Sequence, residues 1–290
     1  MSRNKYDYQA FFFVLPLLLM IAVFMLYPAL TTFYYGFTKW NGISSPIWQG
    51  LANFARLLRD SSFHASVRNA LILALYVPLW TILPLLVAAS IRKPVLGSGF
   101  FRSVALVPFV MSPVILGVLF NVLLRTNGVI NTLLRGVGLG MLSTDWLVEP
   151  DLVIHVVALV TIFKFFGFGV ILYLGAMGKI SESLYDAAKI DGCSWLQTLR
   201  AVTVPGIRHT MEFFVVLGFI TFFARMFPII YTMTGGGPGY ASFVPEFGIY
   251  FQAFQNFQLG YSATWAIFVY LLTFLIIFAQ VMLMRREEAQ

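Results

Sequence analysis

Tyr185-Asp186-Ala187-Ala188-Lys189-Ile190-Asp191-Gly192, followed by Pro205, is a polar, helix-forming stretch set between two long apolar runs. Small alanines let another surface approach closely, and the chemistry open to such an insert is recognition. Two further charges, Lys164 and Arg225, fall inside apolar runs, where charge is expensive and functional by default. Facing a polar cavity, they would hold hydroxyls or an anionic group; otherwise they snorkel or pair within a bundle, with Glu212 or another subunit as partner. Catalytic constellations are missing. The single Cys193 excludes an internal disulfide and a cysteine metal site and reads as a small packing residue. His64, His155 and His209 are too dispersed for a ligand cluster. His155 reads as a satisfied polar residue rather than a proton relay.

The elements that must position these residues follow from composition. Of 290 residues, 59% are hydrophobic and only 11% charged, about half the charge of a soluble chain. Several apolar runs of about 20 residues make this an all-α, polytopic membrane protein. Net charge is +7, but the basic residues are scattered between apolar runs without a continuous face, which excludes nucleic-acid binding. Six spans are expected, near 10–37, 67–91, 101–124, 152–176, 210–233 and 260–284. Internal prolines and glycines such as Pro108, Pro113, Gly167 and Pro228 are tolerated in membrane helices. The first run is too long for a signal-peptide core and lacks a small-x-small cleavage site, so it reads as a retained span. The chain divides into 1–66 (N-terminal tail, first span and outer loop), a transmembrane core 67–284 with an insert at 181–209, and a tail 285–290.

With the N-terminus inside, eleven Lys and Arg lie on inner segments, among them Arg92, Lys93 and Arg102, against six on outer ones. That bias favours both termini in the cytoplasm and places 177–209 there. The outer loops are then 38–66, with a short amphipathic helix over Leu51–Asp60, 125–151 and 234–259. The run Thr234-Gly235-Gly236-Gly237-Pro238-Gly239 lacks the Lys-Ser/Thr and the strand-to-helix setting of a phosphate cradle, and reads as a tight loop at a span end.

Within the insert, Ser183 with Asp186 and Ser194 with Gln197 are capping-box patterns for two short helices. Gly192 stands where the first must stop and can adopt the left-handed conformation a C-cap needs. Trp195, Leu196, Leu199 and Val202 form an apolar stripe on the second, and Pro205 marks the turn back. Two readings stay open: an amphipathic loop lying on the bilayer, and a knob that fits a partner's groove, which the small residues and the two-helix break favour.

On these residues the segment resembles the EAA loop of the permease subunits of bacterial ABC importers. Asp186-Ala187-Ala188 stands for the Glu-Ala-Ala triplet and Asp191-Gly192-Cys193 for Asp-Gly-Ala, with Leu199 and Val202 in the apolar places and Pro205 as the first proline. The departures are Asp186 for Glu, Cys193 for Ala and His209 for the last proline. Thr234 to Pro238, Gly260-Tyr261-Ser262-Ala263, Tyr34–Trp40 and Asn53–Asp60 are similar to the carbohydrate branch, the permeases of the maltose and glycerol-phosphate type.

The resemblance implies a type I ABC importer permease fold in a bacterial inner membrane and a sugar or sugar derivative moved by alternating access. It implies a second permease in a heterodimer, two cytoplasmic ATPase subunits and an extracytoplasmic solute-binding protein. ATP and Mg would sit on those ATPases, since this sequence has no Walker loop and no cofactor of its own. Asp186, Ala187, Ala188, Asp191, Gly192 and Pro205 would dock the ATPase, with Asp191 alternatively a turn former and Gly192 needed for backbone shape. Lys164, Phe168 and Arg225 are the candidate solute path; Phe165, Phe166 and Tyr173 beside them would stack on sugar rings or face lipid. If both cations face the cavity, an anionic glycoside or glycerol phosphate becomes the alternative solute. The other classes are a membrane-embedded enzyme, for which no span carries paired His, Glu or Asp, and a non-ABC carrier or channel.

Overall fold

The computed structural model describes residues 3–92 and 97–288, so Lys93 and the last two residues of the expected C-terminal tail lie outside the described residues. Helix α1 (Arg3–Ile21) passes through one π-turn (Ala22–Leu26) into α2 (Tyr27–Gly36). A short hairpin follows, β1 (Thr38–Lys39) antiparallel to β2 (Ile47–Trp48), and then α3 (Ala52–Leu57). Helices α4 (Ser61–Ala74) and α5 (Val77–Ser90) are nearly continuous. Next come α6 (Ser98–Val110), α7 (Pro113–Leu123), α8 (Val129–Gly136) and the long α9 (Pro150–Met177). The insert contains α10 (Glu182–Ile190), α11 (Trp195–Thr198) and α12 (Val204–Gly206). The chain closes with α13 (Arg208–Ala224), α14 (Phe227–Met233), α15 (Pro245–Tyr250) and α16 (Leu259–Glu288).

Helix is the only open structure that satisfies every backbone group in hydrocarbon, and the apolar runs take it. Among the described residues, four helical stretches are long and apolar enough to span a membrane: Phe12–Gly36, Ser61–Ser90, Pro150–Met177 and Leu259–Ala279. Two bent pairs bring the count to six if each pair is one span: Gly99–Val110 with Pro113–Leu123, bent by 96°, and Trp195–Gly206 with Arg208–Ala224, bent by 80°. The third expected span is therefore not the continuous helix anticipated, and the fifth, expected over 210–233, is divided between α13 and α14. The third breaks at Met111 and Ser112, both extended with ψ near 140° (140° and 137°). Pro113 explains it: the residue before a proline is pushed out of the helical region, and proline has no N–H for the Phe109 carbonyl. The fifth breaks at Arg225 (φ −141°), with Pro228 in the first turn of α14.

The chain forms two compact units, one of residues up to Asp60 together with Gly248–Leu271, the other of Ser61–Phe247 with the remainder of α16. The division expected at residue 66 falls inside α4. In the first unit the buried Asn53 amide donates to the Gly36 carbonyl at 3.0 Å and the Thr38 carbonyl at 2.9 Å. The Thr264 hydroxyl donates to Gly36 at 2.9 Å and the Tyr261 hydroxyl to Asp60 at 2.7 Å, which ties the distant Gly248–Leu271 segment to α2 and α3.

In the second unit α9 is the central helix, packed by α4, α5, α6, α13 and α14. Val153, Val157, Thr161, Lys164 and Val170 on it are buried. Trp80 of α5 is fully buried, stacks on Phe214 with centroids 5.1 Å apart and donates its indole N–H to the Phe214 carbonyl at 3.1 Å. Glycine sets the closest approach: a Cβ at Gly167 would overlap the Ala105 carbonyl of α6. Gly167→Ala should therefore lower the thermal midpoint of the detergent-solubilised protein, by an overpacking cost of about 1–3 kcal/mol. Gly175→Ala on the same helix, where nothing lies within 4 Å, should leave it unchanged. Equal midpoints for the two variants would refute the close contact.

Candidate docking loop and broken spans

Helix α10 starts one turn-corner earlier than its capping pattern implied. Ser181 is the N-cap residue (φ −60°, ψ 131°), and Ser183 lies inside the first turn. The C-terminal signal is realised as read. Gly192 takes φ +71°, its N–H donates to the Lys189 carbonyl at 3.2 Å and the Cys193 N–H to the Ala188 carbonyl at 2.9 Å. That is a Schellman cap, in which a left-handed residue satisfies two terminal carbonyls. The second capping box also forms: the Ser194 N–H donates to Gln197 Oε1 at 2.7 Å and the Gln197 N–H to Ser194 Oγ at 3.4 Å.

The faces of α10 are distinct. Tyr185 and Ala188 point inward at 8% and 7% exposure, so Ala188, expected to dock a partner, packs within its own chain instead. Asp186, Ala187, Asp191, Gly192 and Pro205 are exposed. The pattern reading missed Leu184 and Ile190, exposed apolar residues that share the outward face with Ala187 at helical spacing; an apolar residue every third place in a polar insert was the available signal. The stripe splits: Leu199, just after α11, is buried, whereas Trp195 and Leu196 on α11 are half exposed. Arg92, just after α5, holds the inward face. Its guanidinium lies 3.6 Å over the Tyr185 ring and pairs with Glu182 at 2.7 Å, and the Tyr185 hydroxyl reaches Thr203 Oγ1 at 3.3 Å. Beyond the 80° turn, Glu212 is engaged by Arg208 at 2.7 Å and His209 at 3.3 Å rather than by Lys164.

Lys164 is buried, and its ammonium donates to the carbonyls of Pro108 (3.3 Å), Phe109 (2.9 Å) and Met111 (2.5 Å), the end of α6 at its break. Phe168, one turn further on α9, stacks on Phe109 with centroids 4.5 Å apart, which occupies one of its ring faces. Arg225 is exposed at the second break. Beside it Glu246 Oε2 accepts the Phe227 N–H at 2.9 Å, an anion at the N-terminus of α14. Burial pushes the Glu246 carboxyl up, against the pull of the Phe227 and Met226 amides and of Arg225. The structure does not bring Lys164 and Arg225 together as one cationic pair: each attends its own break. His155 Nδ1 meets the Tyr76 hydroxyl at 2.8 Å.

After α14 the glycine run makes a tight loop, with Gly235, Gly236 and Gly239 at positive φ. Ser242 Oγ lies 2.7 Å from both Thr234 Oγ1 and the Gly237 carbonyl. From α4 the Asn69 amide donates to the Tyr240 and Phe243 carbonyls at 2.7 and 2.9 Å.

Residues 50–288 match the family described as the binding-protein-dependent transport system inner membrane component. Among curated relatives, a probable ABC transporter permease protein of Pyrococcus horikoshii is 30% identical over 269 residues, 91% of each chain. The lactose transport system permease protein of Rhizobium radiobacter is 28% identical over 96% of this chain and 94% of its own. In fold, the chain is similar to a subunit of a bacterial ABC transporter involved in the import of the acidic polysaccharide alginate, with TM-score 0.83 at 23% identity, covering 97% of this chain and 96% of that one.

Arg92→Leu removes both the ring contact and the ion pair that hold α10. Amide exchange over residues 182–190, followed by mass spectrometry, should accelerate by about tenfold. Exchange at the native rate would mean that Arg92 does not anchor the loop.

Proposed function

The chain belongs to the family of binding-protein-dependent transport system inner membrane components, and from that membership we propose that it is the membrane-spanning permease subunit of an ATP-driven importer. Its solute is a sugar or sugar derivative, and transport proceeds by alternating access. Support for the solute class comes from curated relatives, which include permeases named for lactose and for trehalose and maltose. A permease named for sn-glycerol-3-phosphate is also among them, so a phosphorylated or anionic solute stays within the class.

The observation that carries the mechanism is the insert between α9 and α13. It is a short helix with an outward face of Leu184, Ala187 and Ile190, capped at Gly192 and strapped from behind by Arg92. We assign that face, with Asp186, Asp191 and the cap at Gly192, to docking in a groove of a separate ATPase subunit; Pro205 shapes the loop's return. Closure of two such ATPases on ATP would then push the loop as one piece against α5 and α13. A second permease subunit and an extracytoplasmic solute-binding protein complete the proposed assembly, and both termini are assigned to the cytoplasm on the Lys and Arg bias. ATP hydrolysis belongs to the partners.

Two variants test the docking loop. Proline cannot adopt the φ of +71° found at Gly192 and has no N–H for Lys189. Gly192→Pro should leave the subunit in the membrane while ATP hydrolysis proceeds without uptake; full transport by that variant would sink the assignment. Ile190→Asp puts a charge in the middle of the apolar face, and co-purification of the ATPase subunits should fall about tenfold or more. Undiminished recovery of the ATPases would place the docking surface elsewhere.

A further inference from the structure

An ammonium has three N–H donors and no acceptor. At Lys164 all three are directed at carbonyls of one chain break, Pro108, Phe109 and Met111. The residue is 5% exposed, and the Phe109 and Phe165 rings lie beside the cation with centroids 5.9 and 5.8 Å away. All three donors of this charge are taken up within the chain. The preceding turn of α9 meets the other break: Thr161, fully buried, has its hydroxyl 3.8 Å from Sδ of Met226, the residue after Arg225. The two short helices beyond the breaks pack on each other. Gly117 of α7 lies so close to Thr232 of α14 that a Cβ would overlap the Thr232 hydroxyl, and the Asn121 amide donates to the Met233 carbonyl at 2.7 Å.

We propose that Lys164 is a positioning residue: by closing the carbonyl end of α6 it holds the bend that sets α7 against α14, and it does not bind the charge of the solute. Loss of Lys164 thus acts through the shape of the third span, whatever the solute's charge. The bearing on uptake rests on the transport reading above; the bearing on the bend does not.

The test uses the full assembly with its partner subunits, with spin labels at exposed Val104 and Leu119 on either side of the break in a Cys193→Ser background. Lys164→Gln keeps two N–H donors and removes the charge. It should keep the native label-to-label distance, and uptake of neutral and anionic glycosides should fall by the same small factor. Lys164→Met removes the donors as well. It should broaden and lengthen that distance and lower both uptakes together by about tenfold or more, the loss of a charged hydrogen bond. A native distance distribution in Lys164→Met would overturn the proposal. So would a loss in Lys164→Gln confined to the anionic glycoside. If even the native assembly imported no glycoside, the solute assignment would fall, and the distance measurement alone would still decide the role of Lys164.

Discussion

A peptide carbonyl turned out of a helix within hydrocarbon has no water to accept from, and an unsatisfied one costs several kcal/mol. This constraint governs the second unit of the structure. Two spans are broken, and each break is closed by a long-range polar group of opposite sign. A cation, Lys164, sits at the carbonyl end of α6; an anion, Glu246, sits at the amide end of α14. Both placements follow the helix dipole. Neutral side-chain amides finish the arrangement, Asn121 on the last carbonyl of α14 and Asn69 on the turn that follows. The prolines place the breaks, and these partners, carried on α9, α15, α7 and α4, satisfy the backbone groups the breaks leave open.

The insert obeys a different rule. It lies outside the apolar runs, so water can satisfy its backbone, and its shape is fixed by local caps. Gly192 and the Ser194–Gln197 pair set the angle between α10 and α11. What tertiary packing adds is orientation. Arg92 grips Tyr185 and Glu182 from the end of α5, and Tyr185 also meets Thr203, so the opposite side of α10 faces out.

Legibility in the sequence divides along the same line. The Schellman cap and the second capping box were readable because their partners lie within a few residues. The inward turn of Ala188 was not, since the phase of a short helix depends on what it packs against, here a residue from another span. The prolines at 108, 113 and 228 were visible but undecided, because a membrane helix accommodates proline when a neighbour supplies a donor. That donor, Lys164, is 53 residues from Met111, and a lone buried lysine reads equally as a solute ligand. Residues 248–271 join the N-terminal unit through hydrogen bonds to Gly36 and Asp60 that no local pattern announces. The strands β1 and β2, two residues each, are too short for any alternation to register.

One feature of the first unit reaches beyond the chain itself. Phe12–Gly36 is a helical stretch of 25 residues, and none of its most apolar window is buried by the rest of the molecule. At about 1.5 Å per residue it is longer than the roughly 30 Å of a bilayer's hydrocarbon core. Such a helix must lean or thicken the lipid around it, and the π-turn at Ala22–Leu26 gives it a soft point near the middle. Its end at Gly36 is tied by Asn53 and Thr264, but among the described residues nothing buries its most apolar window, so the membrane's thickness and composition bear on its lean and the first span couples this molecule to the lipid in which it sits.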